Sequence, residues 1–229
     1  MSEPTQSPFI RLIEMMNAGG PVVYLLVVLS IIVLTVTLVK LLQFYQAGVF
    51  RNRIALQAVQ QFRSGQSQAA LSLSGQCNSI RSQVVAKSIR GQMNTQASKI
   101  TAREEVLREA TDQLEQLSSH LRILELIASL APLLGLFGTV LGMIDAFQQL
   151  ENSGNQVDPS ILSGGIWLAL LTTAVGLAVA MPTVAINSFF ERRLERLTHD
   201  LDNQIAQIFV DDFDQNPVQV LHANAQQRA

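Results

Sequence analysis

The chain has 229 residues, of which 48% are hydrophobic and only 15% are charged. A soluble domain usually carries about 25% charged residues, and the formal net charge of −2 does not suggest the basic surface that nucleic-acid binding needs. The single cysteine, Cys77, excludes an intramolecular disulfide and a cysteine metal cluster. The apolar residues gather into long blocks separated by polar stretches, which predicts an all-α membrane protein.

Three uncharged blocks are long enough for a membrane-spanning helix, which needs about 20 apolar residues. The first covers residues 22–39, the second about 126–144, and the third lies within 159–190. A cleaved signal peptide is a poorer explanation of the first block, because its apolar run is too long and no basic segment precedes it. The sequence therefore predicts three transmembrane helices that are retained in the protein.

The distribution of Lys and Arg predicts the orientation, since these residues favour the cytoplasmic side. Arg11 is the one basic residue before the first span, whereas the segments after the first and third spans are rich in Lys and Arg. The loop between the second and third spans contains neither residue type. We expect a multi-pass membrane protein with its N-terminus outside the cytoplasm and its C-terminus inside it.

These arguments divide the chain into seven segments. They are a periplasmic N-terminal segment with a short amphipathic helix (1–20), the first transmembrane helix (21–40), a cytoplasmic helical domain (41–122), the second transmembrane helix (123–147), a periplasmic loop (148–162), the third transmembrane helix (163–188), and a cytoplasmic C-terminal helix and tail (189–229).

Two apolar stripes predict that the second and third membrane helices extend into a cytoplasmic helical region. Steps of three and four residues connect the members of each stripe, as in a heptad pattern. Packing within one chain and contact between subunits would both use such stripes, and the pattern favours neither. The stripes are Leu107, Ala110, Leu114, Leu117, Leu121 and Leu124, and then Leu194, Leu197, Leu201, Ile205 and Ile208.

Small residues recur at helical spacing in the second and third spans, which lets helix backbones approach closely in lipid. Pro132 should kink the entrance to the second span, because proline removes one backbone hydrogen bond. The glycines that we expect to serve this helix packing are Gly135, Gly138, Gly142 and Gly176.

Threonine hydroxyls are the polar groups of these packing faces. Such a hydroxyl can simply donate to a backbone carbonyl one turn back, which is our interpretation for Thr35, Thr37 and Thr183. Thr139 and Thr173 differ because they lie among small residues, where a hydroxyl can hold water or relay a proton beside a carboxylate. The physical argument leaves both interpretations open for these two residues.

The segments APLLGLFGTVLG (131–142) and GIWLALLTTAVGLAVAMP (165–182) resemble the MotA/TolQ/ExbB proton channel family, most closely its ExbB branch, with TolQ next. The resemblance implies helical subunits in a ring, expected to be a homo-pentamer. The ring would enclose the membrane helices of an ExbD- or TolR-like single-span partner, whose aspartate carries protons, and would act with a TonB-like protein. The family's pore-facing threonines correspond to Thr139 and Thr173, and we include Thr172 as a further candidate for the pathway.

Leu168 departs from the family pattern. The ExbB and TolQ branches usually have a glutamate at this place in the third span, and no Asp or Glu lies between Asp158 and Glu191. Either the glutamate is dispensable beside the partner's aspartate, or this chain conducts differently, or it is a specialised or engineered variant. The sequence does not decide among these explanations.

The functional expectations follow from these features. The chain has no phosphate-binding loop, metal-binding pair or nucleophile motif, so we expect no enzymatic activity, no cofactor and no metal site. The leading interpretation is a channel and scaffold subunit of a motor that the proton-motive force drives and that energises TonB-dependent outer-membrane uptake. One alternative is a TolQ-like envelope-maintenance motor. Another is a non-conducting structural scaffold, which Leu168 and the lack of ionisable residues in the predicted spans would favour.

Overall fold

The computed structural model describes residues 19–49, 53–94, 98–152 and 159–209. The predicted N-terminal amphipathic helix, the centre of the predicted periplasmic loop and the tail after residue 209 lie outside the described residues. The regular structure of the described ranges is helical, which confirms the all-α fold class. The helices are α1 (Gly20–Gln46), α2 (Arg53–Arg63), α3 (Ser67–Gly75), α4 (Ile80–Met93), α5 (Lys99–Ser118), α6 (Leu121–Asn152) and α7 (Pro159–Phe209).

Three stretches of the described chain are long and apolar enough to cross a membrane, and they contain α1, α6 and α7. Helix α7 has 51 residues, which corresponds to about 76 Å, whereas the hydrocarbon core of a bilayer is about 30 Å thick. The three predicted spans are therefore confirmed, and so is the extension of the third span well beyond one membrane thickness.

The helix that precedes the second span is interrupted, which the leucine spacing did not predict. Helix α5 ends at Ser118 and α6 begins at Leu121, and His120 between them has a φ of 66°. A residue other than glycine rarely adopts this left-handed conformation, which does not continue an α-helix. The extension of the second span is therefore the separate helix α5, because a spacing of apolar residues does not report the backbone angles of polar residues between them.

The chain folds as two compact units. The membrane unit consists of the described residues up to Val39 together with His120–Phe189. The bundle unit consists of Lys40–Ser119 and the described residues from Phe190 onward. Helix α6 lies wholly in the membrane unit, whereas α1 and α7 each contribute residues to both units.

In the bundle unit, α2, α3 and α4 pack on one another and α4 packs on α5. A short turn joins α2 to α3, and Gly65 within it has a φ of 85°. The C-terminal stripe is buried at Leu197, Leu201, Ile205 and Ile208. The α5 part of the first stripe is buried at Ala110 and Leu117, whereas Leu107 and Leu114 are half-buried. The two stripes therefore contribute to the core of this unit, as intrachain packing predicts.

Arg81 on α4 connects three segments of the bundle unit. Its side chain is 5% exposed, and its Nη1 donates a hydrogen bond to the Val49 carbonyl oxygen. Its Nε and Nη2 both donate to Oδ2 of Asp200 on α7, at 3.1 and 2.7 Å. A buried guanidinium must be paired to be tolerated, so this contact fixes α4 against the chain after α1 and against α7.

Lys40 is the second buried cation of this unit, with no exposed surface. Its Nζ donates to the Leu117 carbonyl oxygen at 3.0 Å and to Oε1 of Gln43 at 2.9 Å. Because the last carbonyls of a helix have no intrahelical donor, the Leu117 contact satisfies the end of α5.

In the membrane unit, α1 packs on the pair formed by α6 and α7. Val22 and Leu26 form a buried cluster with Ala131 and Ala180. Leu134, Val175 and Val179 pack around this cluster. Helix α1 therefore contacts both helices of the pair.

Helices α6 and α7 meet along a seam of small residues. The α6 side consists of Ala131, Gly135, Gly138, Gly142 and Ala146, all of which are buried. The α7 side consists of Gly165, Ala169, Thr172, Gly176 and Ala180. The contacts run from Ala131 opposite Gly176 to Ala146 opposite Gly165, so the two helices are antiparallel and each seam follows steps of three and four.

The backbones in this seam are so close that a methyl group does not fit. A β-carbon added at Gly176 would lie 2.7 Å from the Ala131 carbonyl oxygen and 3.0 Å from Cα of Gly135. One added at Gly135 would lie 3.1 Å from the Thr172 carbonyl oxygen. Backbone atoms cannot move away as a flexible side chain can, so Gly176 is required here for its missing side chain, and a methyl group at Gly135 would need the facing backbone to shift by a few tenths of an ångström.

We predict that Asp200→Asn lowers the free energy of unfolding by about 2 kcal/mol, because it leaves the buried Arg81 cation without a carboxylate. Asp200 is itself partly exposed, with 41% of its side chain accessible, so the loss should fall below that of a fully buried pair. A double-mutant cycle with Arg81→Leu, measured by chemical denaturation in detergent micelles, should give a coupling energy of about 1–2 kcal/mol. Additive effects would show that the pair contributes no mutual stabilisation.

We also predict that Gly176→Ala destabilises the chain by about 1–3 kcal/mol, because the added methyl forces α6 and α7 apart. Gly164→Ala is the matched control on the same helix, since no atom lies within 4 Å of a β-carbon there. Chemical denaturation in detergent micelles should give a lower free energy of unfolding for Gly176→Ala than for Gly164→Ala. Equal stability of both would contradict the close packing at Gly176.

Candidate functional site

The three candidate threonines donate their hydroxyl protons to backbone carbonyls. Thr139 Oγ1 donates to the Leu136 carbonyl oxygen at 2.6 Å, and Thr172 Oγ1 donates to that of Ala169 at 2.7 Å. Thr173 Oγ1 donates across the seam to the Gly135 carbonyl oxygen at 3.3 Å. Thr172 Oγ1 makes a second contact with the same oxygen, also at 3.3 Å. The hydroxyl oxygens keep lone pairs with which to accept a proton or a hydrogen bond.

Thr139 and Thr173 lie on the same flank of the helix pair. Each follows a seam residue, Gly138 or Thr172, by one position and is therefore rotated from it by about 100° in the same sense. Because the helices are antiparallel, equal rotations bring both side chains to one side of the seam. Thr173 is level with Gly135, so the two threonines are about one helical turn, or 6 Å, apart along the axis. Both are half-buried, whereas Thr172 is 2% exposed within the seam.

Helix α1 covers the opposite flank. Leu134, which packs around the α1 contact, precedes Thr139 by five residues and is therefore about 140° away on α6. Val175 and Val179 on α7 are likewise turned away from Thr173, by about 160° and 120°. The side that carries Thr139 and Thr173, which we call the threonine flank, is thus not covered by α1 within the membrane unit.

The threonine flank is otherwise apolar around the two hydroxyls. Leu136 and Val140 on α6 and Leu170 and Leu177 on α7 are exposed there. A surface of this kind can face lipid, a neighbouring subunit or a helix of another protein.

A groove lined by both polar and apolar side chains continues the threonine flank toward the start of α6. It has a volume of about 590 Å³ and is lined by Arg122, Ile123, Glu125, Leu126 and Ser129. Glu125 precedes Thr139 by fourteen residues, which are about four turns and leave the two side chains about 40° apart. In the sequence, Glu125 marks the boundary of an apolar block. Its separation of two heptads from Thr139 is a signal that both side chains lie on one face of the helix.

The remaining predicted residues have the following positions. Gly135, Gly138, Gly142 and Gly176 lie in the seam. Pro132 is half-buried, and α6 continues through it as one helix. Leu168 is half-buried and precedes Thr173 by five residues, so it is rotated about 140° away from the threonine flank. A carboxylate at this position would point to the side of α7 on which Val175 and Val179 lie.

Comparison with known proteins identifies the relatives of this chain. Residues 76–203 match the MotA/TolQ/ExbB proton channel family, and this range contains the seam, the threonines and the groove. The biopolymer transport protein exbB1 of Vibrio cholerae is 39% identical over 95 residues, which are 40% of this chain and 42% of that protein. The Tol-Pal system protein TolQ of Haemophilus influenzae is 33% identical over 113 residues, which are 49% of this chain and 45% of that protein.

A third relative covers more of the molecule. The putative biopolymer transport protein ExbB-like 1 of Synechocystis is 30% identical over 189 residues, which are 77% of this chain and 68% of that protein. The matches to the Vibrio and Haemophilus proteins, by contrast, span less than half of their lengths. The family is one of channels and not a known class of enzymes.

The family match covers more than half of the chain, and the described helices include three of membrane-spanning length. The chain therefore belongs to the MotA/TolQ/ExbB proton channel family and is a multi-pass inner-membrane protein.

Proposed function

We propose that this chain is the channel-forming scaffold subunit of a proton-driven motor in the bacterial inner membrane, with the threonine flank turned toward the proton pathway. The observation that carries the proposal is that Thr139 and Thr173 share a flank that α1 leaves uncovered. Copies of the chain arranged in a ring, expected to be a pentamer, would bring this flank to the central axis. The N-terminus is periplasmic and the C-terminus cytoplasmic in this arrangement.

The composition of the spans supports a requirement for a partner. Residues 20–39 of α1 and 159–189 of α7 contain no Asp, Glu, Lys, Arg or His, so these segments offer no group that exchanges a proton at neutral pH. We infer that an ExbD- or TolR-like single-span protein supplies a membrane aspartate to the axis of the ring. The threonine hydroxyls then hydrogen-bond to that carboxylate in both of its protonation states, because a hydroxyl can donate and accept.

The energy source is the proton-motive force. One proton that crosses 100 mV releases about 2.3 kcal/mol. A few protons therefore supply enough work to move the partner's membrane helices relative to the helices of the ring. We propose that this work energises TonB-dependent uptake across the outer membrane through a TonB-like protein. The prevalence of biopolymer transport proteins named ExbB among the relatives supports this choice.

A TolQ-like role in envelope maintenance is the second candidate, because the Haemophilus TolQ matches 49% of this chain. A deletion strain separates the two roles. Loss of energised uptake through outer-membrane receptors with an intact outer membrane supports the first role. Leakage of the outer membrane with normal uptake supports the second. A non-conducting scaffold is the remaining alternative, and it predicts no proton flux in the experiment that follows.

We predict that Thr139→Val together with Thr173→Val abolishes proton flux while the complex still assembles. Valine keeps the shape of threonine but removes the hydroxyl that holds the proton or water. The measurement uses proteoliposomes that contain the chain with its single-span partner. A pH-sensitive dye inside the vesicles reports how fast their interior acidifies. Thr35→Val is the matched control, because the exposed Thr35 hydroxyl donates to the Ile31 carbonyl oxygen of its own helix just as Thr139 donates to Leu136.

Two results would contradict the proposal. Full proton flux in the double valine variant would remove the threonines from the pathway, and absence of flux in the wild-type complex would favour the scaffold. Mass measurement of the purified complex, with and without the co-expressed partner, gives the subunit number independently. We expect five copies of this chain in both preparations, and the partner only in the second.

A further inference from the structure

Glu125 lies at a depth at which α1 is still apolar. Consecutive membrane crossings run in opposite directions, so α1 and α6 are antiparallel, and Leu26 of α1 shares a cluster with Ala131 of α6. Glu125 precedes Ala131 by six residues, or about 9 Å. In the same direction, the uncharged run of α1 continues thirteen residues past Leu26 to Val39, or about 20 Å. The carboxyl group therefore lies within the depth of the first span.

This carboxylate faces outward from the three helices. Glu125 and Arg122, one turn before it, are both exposed in the membrane unit. Ionised side chains are costly in hydrocarbon and are found where they face water or protein. The groove side of the unit is therefore not a lipid-facing surface, because Glu125, Arg122 and Ser129 line it together.

The surroundings of Glu125 leave it as the proton-binding group of the groove. Ser129 Oγ donates to the backbone carbonyl oxygens of Glu125 and Leu126, so its proton is held by the helix. Arg122 is the charged neighbour on the same helix and does not release its proton in proteins. The segments of α1 and α7 in the membrane unit bring no ionisable residue of the Asp, Glu, Lys, Arg or His types to face it.

We propose that Glu125 is the proton-transfer residue at the end of the pathway beyond Thr139. The proposal rests on the proposed function. Glu125 lies about 21 Å from Thr139 along the axis of α6, on the same flank. Its carboxylate accepts a proton from a hydronium ion in the pathway, so one O–H bond of the hydronium breaks as the carboxyl O–H bond forms and neutral water remains. The carboxyl group then gives the proton to a water molecule at the groove mouth, which leaves as hydronium, so the cycle regenerates the carboxylate and consumes no other reactant.

The test uses the full chain in complex with its single-span partner, reconstituted in vesicles of neutral lipid. Glu125→Gln should lower the proton flux about tenfold, because the amide cannot bind and release a proton at neutral pH. Glu104→Gln is the matched control, since Glu104 is exposed on α5 in the bundle unit, and its flux should equal that of the wild type. Formate should raise flux in Glu125→Gln vesicles by more than it does in vesicles without protein, through which formic acid also diffuses, because a small acid can carry the proton in place of the side chain and cannot repair a structural defect.

The outcomes separate the two proposals. Wild-type flux in Glu125→Gln, with flux abolished in the Thr139 and Thr173 double valine variant, overturns the role of Glu125 and leaves the proposed function intact. Reduced flux that formate does not raise also overturns it, since a structural role then explains the loss. If the Glu125→Gln complex does not assemble, the pH profile of proton flux is measured in Glu125→Asp instead. A proton-transfer residue predicts retained flux with a changed pH profile, and an unchanged profile overturns the inference.

Discussion

The close approach of α6 and α7 along the glycine seam is the constraint on which the membrane unit depends. In lipid no hydrophobic force holds two apolar helices together, so association relies on van der Waals contact and interhelical hydrogen bonds. The missing side chains of Gly135 and Gly176 bring backbone within contact distance of backbone. The same approach brings Thr172 and Thr173 to the Gly135 carbonyl oxygen. Helix packing and the position of the candidate site therefore have one cause.

The seam also explains how an almost uncharged unit can present polar groups on one side. Packing at the seam uses the small residues, and α1 covers one flank with Val22 and Leu26. The other flank keeps two hydroxyls and, further along α6, a carboxylate and a guanidinium. A hydroxyl costs little in an apolar environment when its proton is bonded to a carbonyl, as that of Thr139 is. An ionised carboxylate is more costly, so its presence on this flank indicates a function for the surface.

The bundle unit follows a different principle, in which buried cations are satisfied by carbonyls and by one carboxylate. Arg81 bonds to Val49 and Asp200, and Lys40 bonds to Leu117 and Gln43. Each cation connects segments that are far apart in sequence. The surrounding core is apolar, with Phe44, Ile89 and Leu197 fully buried, so the polar contacts of the two cations add directional constraints to hydrophobic packing.

The sequence by itself determined the helical class, the three spans, the family and the four glycines of the seam, because each depends on local composition or on spacing along one helix. The break at His120, the partners of Arg81 and the face on which Leu168 lies were decided only by the tertiary structure. The physical reason is that a spacing gives the angle of a residue on its own helix but not the depth or direction of that helix among its neighbours. Glu125 illustrates the difference. In sequence it is the charged end of an apolar block, and only the packing of α1 beside α6 gives it a depth within the membrane.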